Sequence, residues 1–182
     1  SQEAILNGDS IFLIFIVTPE IDHRKPFLQA VESGKVAYVE KPFVTSLGDA
    51  LSMAKSANNA IATCGCLLRF ESRHAQIKRP MGQYGRLCHM HLHRHFDQQL
   101  HELYGRTRPA HLTMTHDINI ANWYAPSPSK QVLTRKGRCR GNKQPDHLGE
   151  FIEYENGATS TLKADWLGAG KAGLQHGGTC SV

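Results

Sequence analysis

Seven consecutive apolar residues, Ile11 to Val17 (IFLIFIV), show no polar alternation, which predicts a strand of a parallel sheet with helices over both faces. Thr18-Pro19 ends it. Glu20 to Ser33 places Ile21, Phe27, Leu28 and Val31 at helical intervals before Gly34, so it predicts a helix capped by that glycine and restarted or kinked at Pro26. Val36 to Val39 (VAYV) predicts the next strand, and strand, helix, strand within about 30 residues is a βαβ unit with a right-handed crossover. Ser46 to Asn59 predicts a second helix, with Leu47, Ala50, Leu51 and Ala54 on one stripe, and Ala60 to Cys66 a third strand. Ahead of all this, SQEAILNG reads as helix.

Beyond about residue 68 the period changes. Leu87 to His95 alternates strictly, and Phe151 to Trp166 holds two alternating segments around Asn156-Gly157, a hairpin signal. Thr113 to Tyr124 predicts a helix with His116, Ile120 and Trp123 at helical spacing. Tyr104 to His111 and Ser127 to Pro145, where Pro, Gly and basic residues cluster, predict loops. The fold class expected is therefore α/β: part of a Rossmann domain with a parallel sheet over residues 1–68, then an α+β domain with a large open, mainly antiparallel sheet over 69–182.

Composition changes this picture little. Of 182 residues, 40% are hydrophobic and 20% charged, as in an ordinary globular protein, and no apolar run approaches a membrane span. The net charge of +5 permits an anionic ligand without demanding one. Five cysteines with no CxxC pair argue against a disulfide framework, so a reducing compartment, the cytoplasm, is expected. The first residues lack the basic and apolar segments of a secretory signal, and the abrupt ends read as those of a fragment.

Chemistry enters with Glu40-Lys41-Pro42, directly after the second strand, at the carboxyl edge where open α/β sheets bind ligands. Taken alone, the tripeptide reads as a surface ion pair and a loop-starting proline. It stands, however, in an ordered series: Thr18-Pro19 with His23, Gly34-Lys35, Glu40-Lys41-Pro42, Arg69-Phe70, Gly82, Gly85-Arg86, His116-Asp117-Ile118-Asn119 with Trp123, and Glu155-Asn156-Gly157-Ala158. Over almost the whole chain this series resembles the glucose-fructose oxidoreductase, inositol dehydrogenase and MocA family of nicotinamide-dependent enzymes.

The resemblance implies an oxidoreductase acting with NAD or NADP on a sugar, inositol or related polyol. It implies Lys41 and His116 as the catalytic pair facing the nicotinamide across the substrate, with His116 taking the hydroxyl proton and Lys41 orienting the oxygen. A histidine that titrates near neutrality suits a base at a carbinol carbon. The same resemblance implies that Thr18, Pro19, His23, Glu40 and Lys41 line the cofactor, and that Arg69 and Asn119 bind substrate. Partners are expected to be the small-molecule substrate and further copies in a homo-dimer or homo-tetramer, with neither nucleic acid nor membrane.

Two departures stand out. Leu112 occupies the place, one turn before His116, where many members carry an aspartate. The first strand, the glycine-rich turn and the acidic residue that chooses between NAD and NADP have no counterpart before Ser1, so this chain taken alone is expected to hold a dinucleotide weakly. A second reading follows, from a different class: a non-catalytic relative serving as a scaffold or ligand-binding protein.

Three further patterns carry bland readings. Gly168, Gly170 and Gly173 form a G-x-G-x-x-G, but no helix, strand and acidic residue follow, so a glycine-rich loop is expected. His89, His91, His93 and His95 share one strand face, where two imidazoles at i and i+2 suit zinc or copper. With no carboxylate or cysteine assigned to that face, a polar sheet surface is expected and no metal. The basic residues Arg135, Lys136, Arg138, Arg140 and Lys143 lack interleaved aromatics and read as a solvated loop.

Overall fold

Three short parallel strands open the fold. The protein's structure, a computed structural model, describes residues 2–105, 107–139, 141, 143–168 and 175–181. It divides into two units, 1–66 and 67–182. In the first, helix α1 (Gln2–Asn7) precedes β1 (Leu13–Ile16), α2 (Arg24–Glu32), β2 (Val36–Val39), α3 (Leu47–Ser56) and β3 (Ala62–Cys64). The sheet order is β1-β2-β3, with Ile16 level with Val39 and Val39 with Cys64.

Local chemistry sets the helix ends. At the end of α2, Gly34 takes φ +70°, and Lys35 N–H returns to Ala30 C=O, the glycine-closed ending in which only a residue without Cβ is unstrained. Pro26 sits in the first turn, where its missing N–H has no intrahelical partner to lose. Ser46 caps α3: its Oγ accepts Asp49 N–H and donates to the Asp49 carboxylate.

Phe27, Ala30 and Met53 pack with Ile16, Ala37 and Val39 to form this unit's core. Two expectations fail here. The apolar run is covered on one side only, since Phe15 is 61% exposed and Phe12 and Val17 are exposed too. Successive right-handed crossovers in one direction place α2 and α3 on the same side of the sheet. The stripe of α3 is also rotated: Leu47, Leu51 and Ala54 are exposed, while Met53, a long flexible side chain able to fill irregular space, is fully buried.

The second unit begins with a 3₁₀ turn at Leu67–Phe70, then α4 (Ser72–Lys78), α5 (Met81–Tyr84), β4 (His89–Asp97), α6 (Leu100–Leu103), α7 (Thr115–Tyr124), β5 (Ser129–Gly137), β6 (His147–Tyr154), β7 (Thr159–Gly168) and β8 (Gln175–Ser181). Its mixed, mostly antiparallel sheet has the order β5-β6-β7-β4-β8, and only β4 and β7 run parallel. The expected hairpin is β6–β7, turning at Gly157 with φ +82°. Met90 and Leu92 on β4, Ile152 on β6 and Leu162 on β7 meet Ile120, Ala121 and Tyr124 of α7 in the core.

The two expected loops need correction. Ser129 to Gly137 is a strand: all but its last residue are exposed, so no apolar alternation marks it, and pairing with β6 supplies the order that its own pattern does not. Arg135 and Lys136 therefore lie in β5 and not in a loop. Ala110–Met114 forms a π-helical turn leading into α7, steadied by Thr113 Oγ1 donating to Pro109 C=O. Arg140, Gly170 and Gly173 lie outside the described residues.

Candidate active site

At the carboxyl edge of the parallel sheet the backbone turns twice within reach of one imidazole. His23 is 1% exposed. Its Nε2 lies 2.9 Å from Thr18 C=O, while Nδ1 lies 3.0 Å from Pro42 C=O and 3.2 Å from Phe43 C=O. The imidazole sits between the turn after β1 and the turn after β2, with a carbonyl of each within hydrogen-bond distance of a ring nitrogen. His23 thus holds the expected cofactor segment in place from beneath.

Glu40 continues β2, its N–H donating to Ile16 C=O, and Lys41 precedes Pro42 through a cis peptide bond. Both Glu40 and Lys41 are half-buried, whereas Thr18 and Pro19 are exposed. Gly65 lies against Glu40 so closely that a Cβ there would stand 2.6 Å from the Glu40 carboxylate and 2.8 Å from the Tyr38 hydroxyl. Burial raises the Tyr38 phenol above its ordinary range, and the Glu40 charge adds to the rise. The edge thus gathers the Glu40 carboxylate and the Tyr38 hydroxyl beside Gly65, with Lys41 next along the chain.

In the second unit, α7 carries His116 half-buried and Asn119 one turn later. Arg69 donates from Nε to Asn119 Oδ1 at 2.8 Å and from Nη2 to the Asn119 carbonyl at 3.4 Å. The two expected substrate residues are therefore joined to each other. Leu112 lies in the π-helical turn before His116.

Two arrangements escaped the sequence. Arg94, on the otherwise apolar face of β4, sends Nε to both carboxylate oxygens of Asp117, at 2.9 and 2.7 Å, and the pair is 4% and 1% exposed. Burial pushes the Asp117 carboxyl up, and the Arg94 guanidinium pulls it part of the way back. The signal was an arginine in phase with Met90 and Leu92. The second is His74, whose Nδ1 lies 2.8 Å from the Tyr124 hydroxyl on the wall of a cavity of about 260 Å³ bordered by α4, α7, β4 and β8. None of the expected site residues lines that cavity.

The histidine face also differs from expectation, since a carboxylate does stand on it. Asp165 of β7 accepts from His95 Nδ1 at 2.8 Å and from Lys163 at 3.4 Å. The rings of His91, His93 and His95 follow one another at 5.6 and 5.3 Å between centroids. Among the described residues, no group of three histidine, cysteine, aspartate or glutamate side chains is placed to hold a metal ion. Among them, too, no helix is long and apolar enough to cross a membrane.

Parallel strands joined by helices, with polar side chains at the carboxyl edge, give the first unit a Rossmann-type architecture. Residues 1–66 match the model of the glucose-fructose oxidoreductase, inositol dehydrogenase and MocA family, an oxidoreductase family with an NAD-binding Rossmann fold. It is 24% identical over 172 residues to the scyllo-inositol 2-dehydrogenase (NAD(+)) of Bacillus subtilis, covering 88% of this chain and 50% of that protein. It is 22% identical over 127 residues to the inositol 2-dehydrogenase/D-chiro-inositol 3-dehydrogenase of Halalkalibacterium halodurans, covering 67% of this chain and 36% of that one. An NAD-binding protein from Listeria innocua shares the fold with a TM-score of 0.80 at 22% identity, over 97% of this chain and 53% of its own. The chain thus spans half, or about a third, of the length of the curated relatives it matches.

Proposed function

We propose that the chain is part of an oxidoreductase that transfers a hydride between NAD or NADP and a carbinol carbon of a sugar, inositol or related polyol. Residues 1–68 belong in this reading to its dinucleotide-binding domain and 69–182 to its substrate and assembly domain. The observation that carries the reading is Glu40-Lys41-Pro42 at the carboxyl edge of a family-matched Rossmann sheet, with the turn fixed from below by His23.

The bound dinucleotide supplies the hydride acceptor or donor. Lys41 donates a hydrogen bond from its ammonium to the substrate oxygen, holding the hydroxyl in line and stabilising negative charge as it develops there. His116 accepts the hydroxyl proton on its imidazole in oxidation and returns it in reduction. Thr18, Pro19 and Glu40 line the cofactor, and His23 positions them. Arg69 holds Asn119, which presents its amide to substrate hydroxyls. Copies associate through the open sheet of the second unit, where Leu133 and Phe151 are exposed beside the histidine face. Leu112, apolar where an acidic partner of His116 is expected, favours as second reading a relative that keeps the scaffold and lacks turnover.

The test uses the full-length protein, with NADH fluorescence to read binding and NADH absorbance to read turnover over a panel of polyols. His116→Ala is expected to lower turnover by about 10²–10⁴-fold, the usual contribution of a general base, with NADH affinity nearly unchanged. Full turnover in that variant would overturn the assignment. Wild-type protein that binds NADH but turns over no polyol would establish the second reading.

A further inference from the structure

Cys64 and Cys66 flank Gly65 where β3 ends, and the backbone folds back on itself there: Cys66 N–H donates to Cys64 C=O at 2.7 Å, the i to i+2 bond of a γ-turn. Such a turn brings alternate residues onto one side. The two Sγ atoms lie 3.8 Å apart, in S–H···S contact, and neither cysteine is fully buried. A Cβ at Gly65 would stand 2.6 Å from the Glu40 carboxylate and 2.8 Å from the Tyr38 hydroxyl, so either side chain would have to move to admit one. The chain thus holds two thiols face to face across a tight turn at Gly65.

We propose that Cys64 and Cys66 form a reversible dithiol–disulfide site, oxidised by low-molecular-weight disulfides, at the turn that packs against Glu40. Closing from 3.8 Å to a bond of about 2.05 Å asks for a shift of under 2 Å in two short side chains. The contact with Cys66, followed by burial, holds the Cys64 thiol protonated well above the ordinary thiol range, so the first attack is assigned to Cys66.

The Cys66 thiolate attacks one sulfur of the small disulfide, breaking that S–S bond, releasing one small thiolate and forming a mixed disulfide. Cys64 loses its proton to solvent and attacks the Cys66 sulfur, expelling the second small thiolate. The two cysteines give up two electrons and two protons in all, and the small disulfide leaves as two thiols. In a reducing compartment the dithiol is the resting form and the disulfide the signal of oxidation. The site is chemically complete within the first unit and independent of which substrate the enzyme takes.

The experiment exposes the folded protein to oxidised glutathione, quenches it in acid, alkylates under denaturing conditions and weighs the tryptic peptide of residues 56–69. The expected result is an unalkylated peptide lighter by two hydrogen atoms, returned to the doubly alkylated form by dithiothreitol. It should appear at oxidant concentrations that leave Cys88, Cys139 and Cys180 alkylated. Cys64→Ser should instead accumulate a lasting glutathione adduct on Cys66, and the wild-type result stands without any variant. Two alkylated cysteines after oxidation, a persistent mixed adduct in the wild type, or equally rapid closure in urea would each overturn the proposal.

Discussion

Removing the Asp117 carboxylate is the sharpest perturbation the structure offers. Asp117 and Arg94 have almost no solvent contact, and the guanidinium Nε is shared between both carboxylate oxygens. With charge centres about 4 Å apart and an effective dielectric constant of about 20, their attraction is about 4 kcal/mol. Taking both ions out of water costs several kcal/mol each, so the intact pair contributes little net stability. Breaking it is different: Asp117→Ala leaves a guanidinium buried without its partner carboxylate, and the expected loss is about 3–5 kcal/mol. The double variant Arg94→Met/Asp117→Leu, which removes both charges and restores apolar volume, should recover most of that loss. Denaturant unfolding of the two variants beside the wild type reads the difference directly. A loss under about 1 kcal/mol in Asp117→Ala would refute the reasoning, because it would mean that water reaches Arg94. So would a double variant no more stable than the single one.

His23→Ala should destabilise the first unit by about 1–3 kcal/mol, since the carbonyls of Thr18, Pro42 and Phe43 lose their common partner; urea unfolding measures this, and an unchanged midpoint would show that the imidazole ties nothing. His74 supplies a pH dependence. Burial lowers its folded pKa, with the Arg94 and Arg73 charges helping and Glu71 opposing. The unfolded chain therefore binds the proton first, so stability is full above the unfolded value of about 6.5 and is lost as pH falls from there toward the folded value. Thermal unfolding between pH 8 and pH 5, both endpoints roughly bracketing the histidine range, should show this acid loss and a flatter profile for His74→Gln. An identical profile in the variant would remove His74 from the explanation.

How much of this was legible in the sequence depends on whether the determinant was local. The βαβ order, the cap at Gly34 and the hairpin at Asn156-Gly157 follow from backbone preferences of neighbouring residues, and these elements lie close to where the pattern puts them. Strand β5 is the opposite case. Its residues are almost all exposed, so no burial imposes alternation on them, and it is ordered by a partner strand whose pairing no local pattern encodes. Leu47 and Leu51 misled for a related reason: a helix with several apolar residues has more than one plausible stripe, and the choice of Met53 is made by the surface it meets.

The same distinction governs the chemistry. Lys41 and Glu40 were singled out by the ordered series that carries the resemblance, because at a strand end the tripeptide taken alone reads as a surface ion pair. Asp117 was passed over although it adjoins His116, because its meaning comes from Arg94, 23 residues earlier, and only the structure brings the two together. Arg94 should still have raised the question. An arginine in register with buried Met90 and Leu92 requires an anion on the same side of the strand. Asp117, acidic and in phase with the buried Ile120, Ala121 and Tyr124, was the carboxylate to ask for. That pairing anchors α7 to β4 one residue away from His116, so the proposed base owes its setting to a buried charge pair.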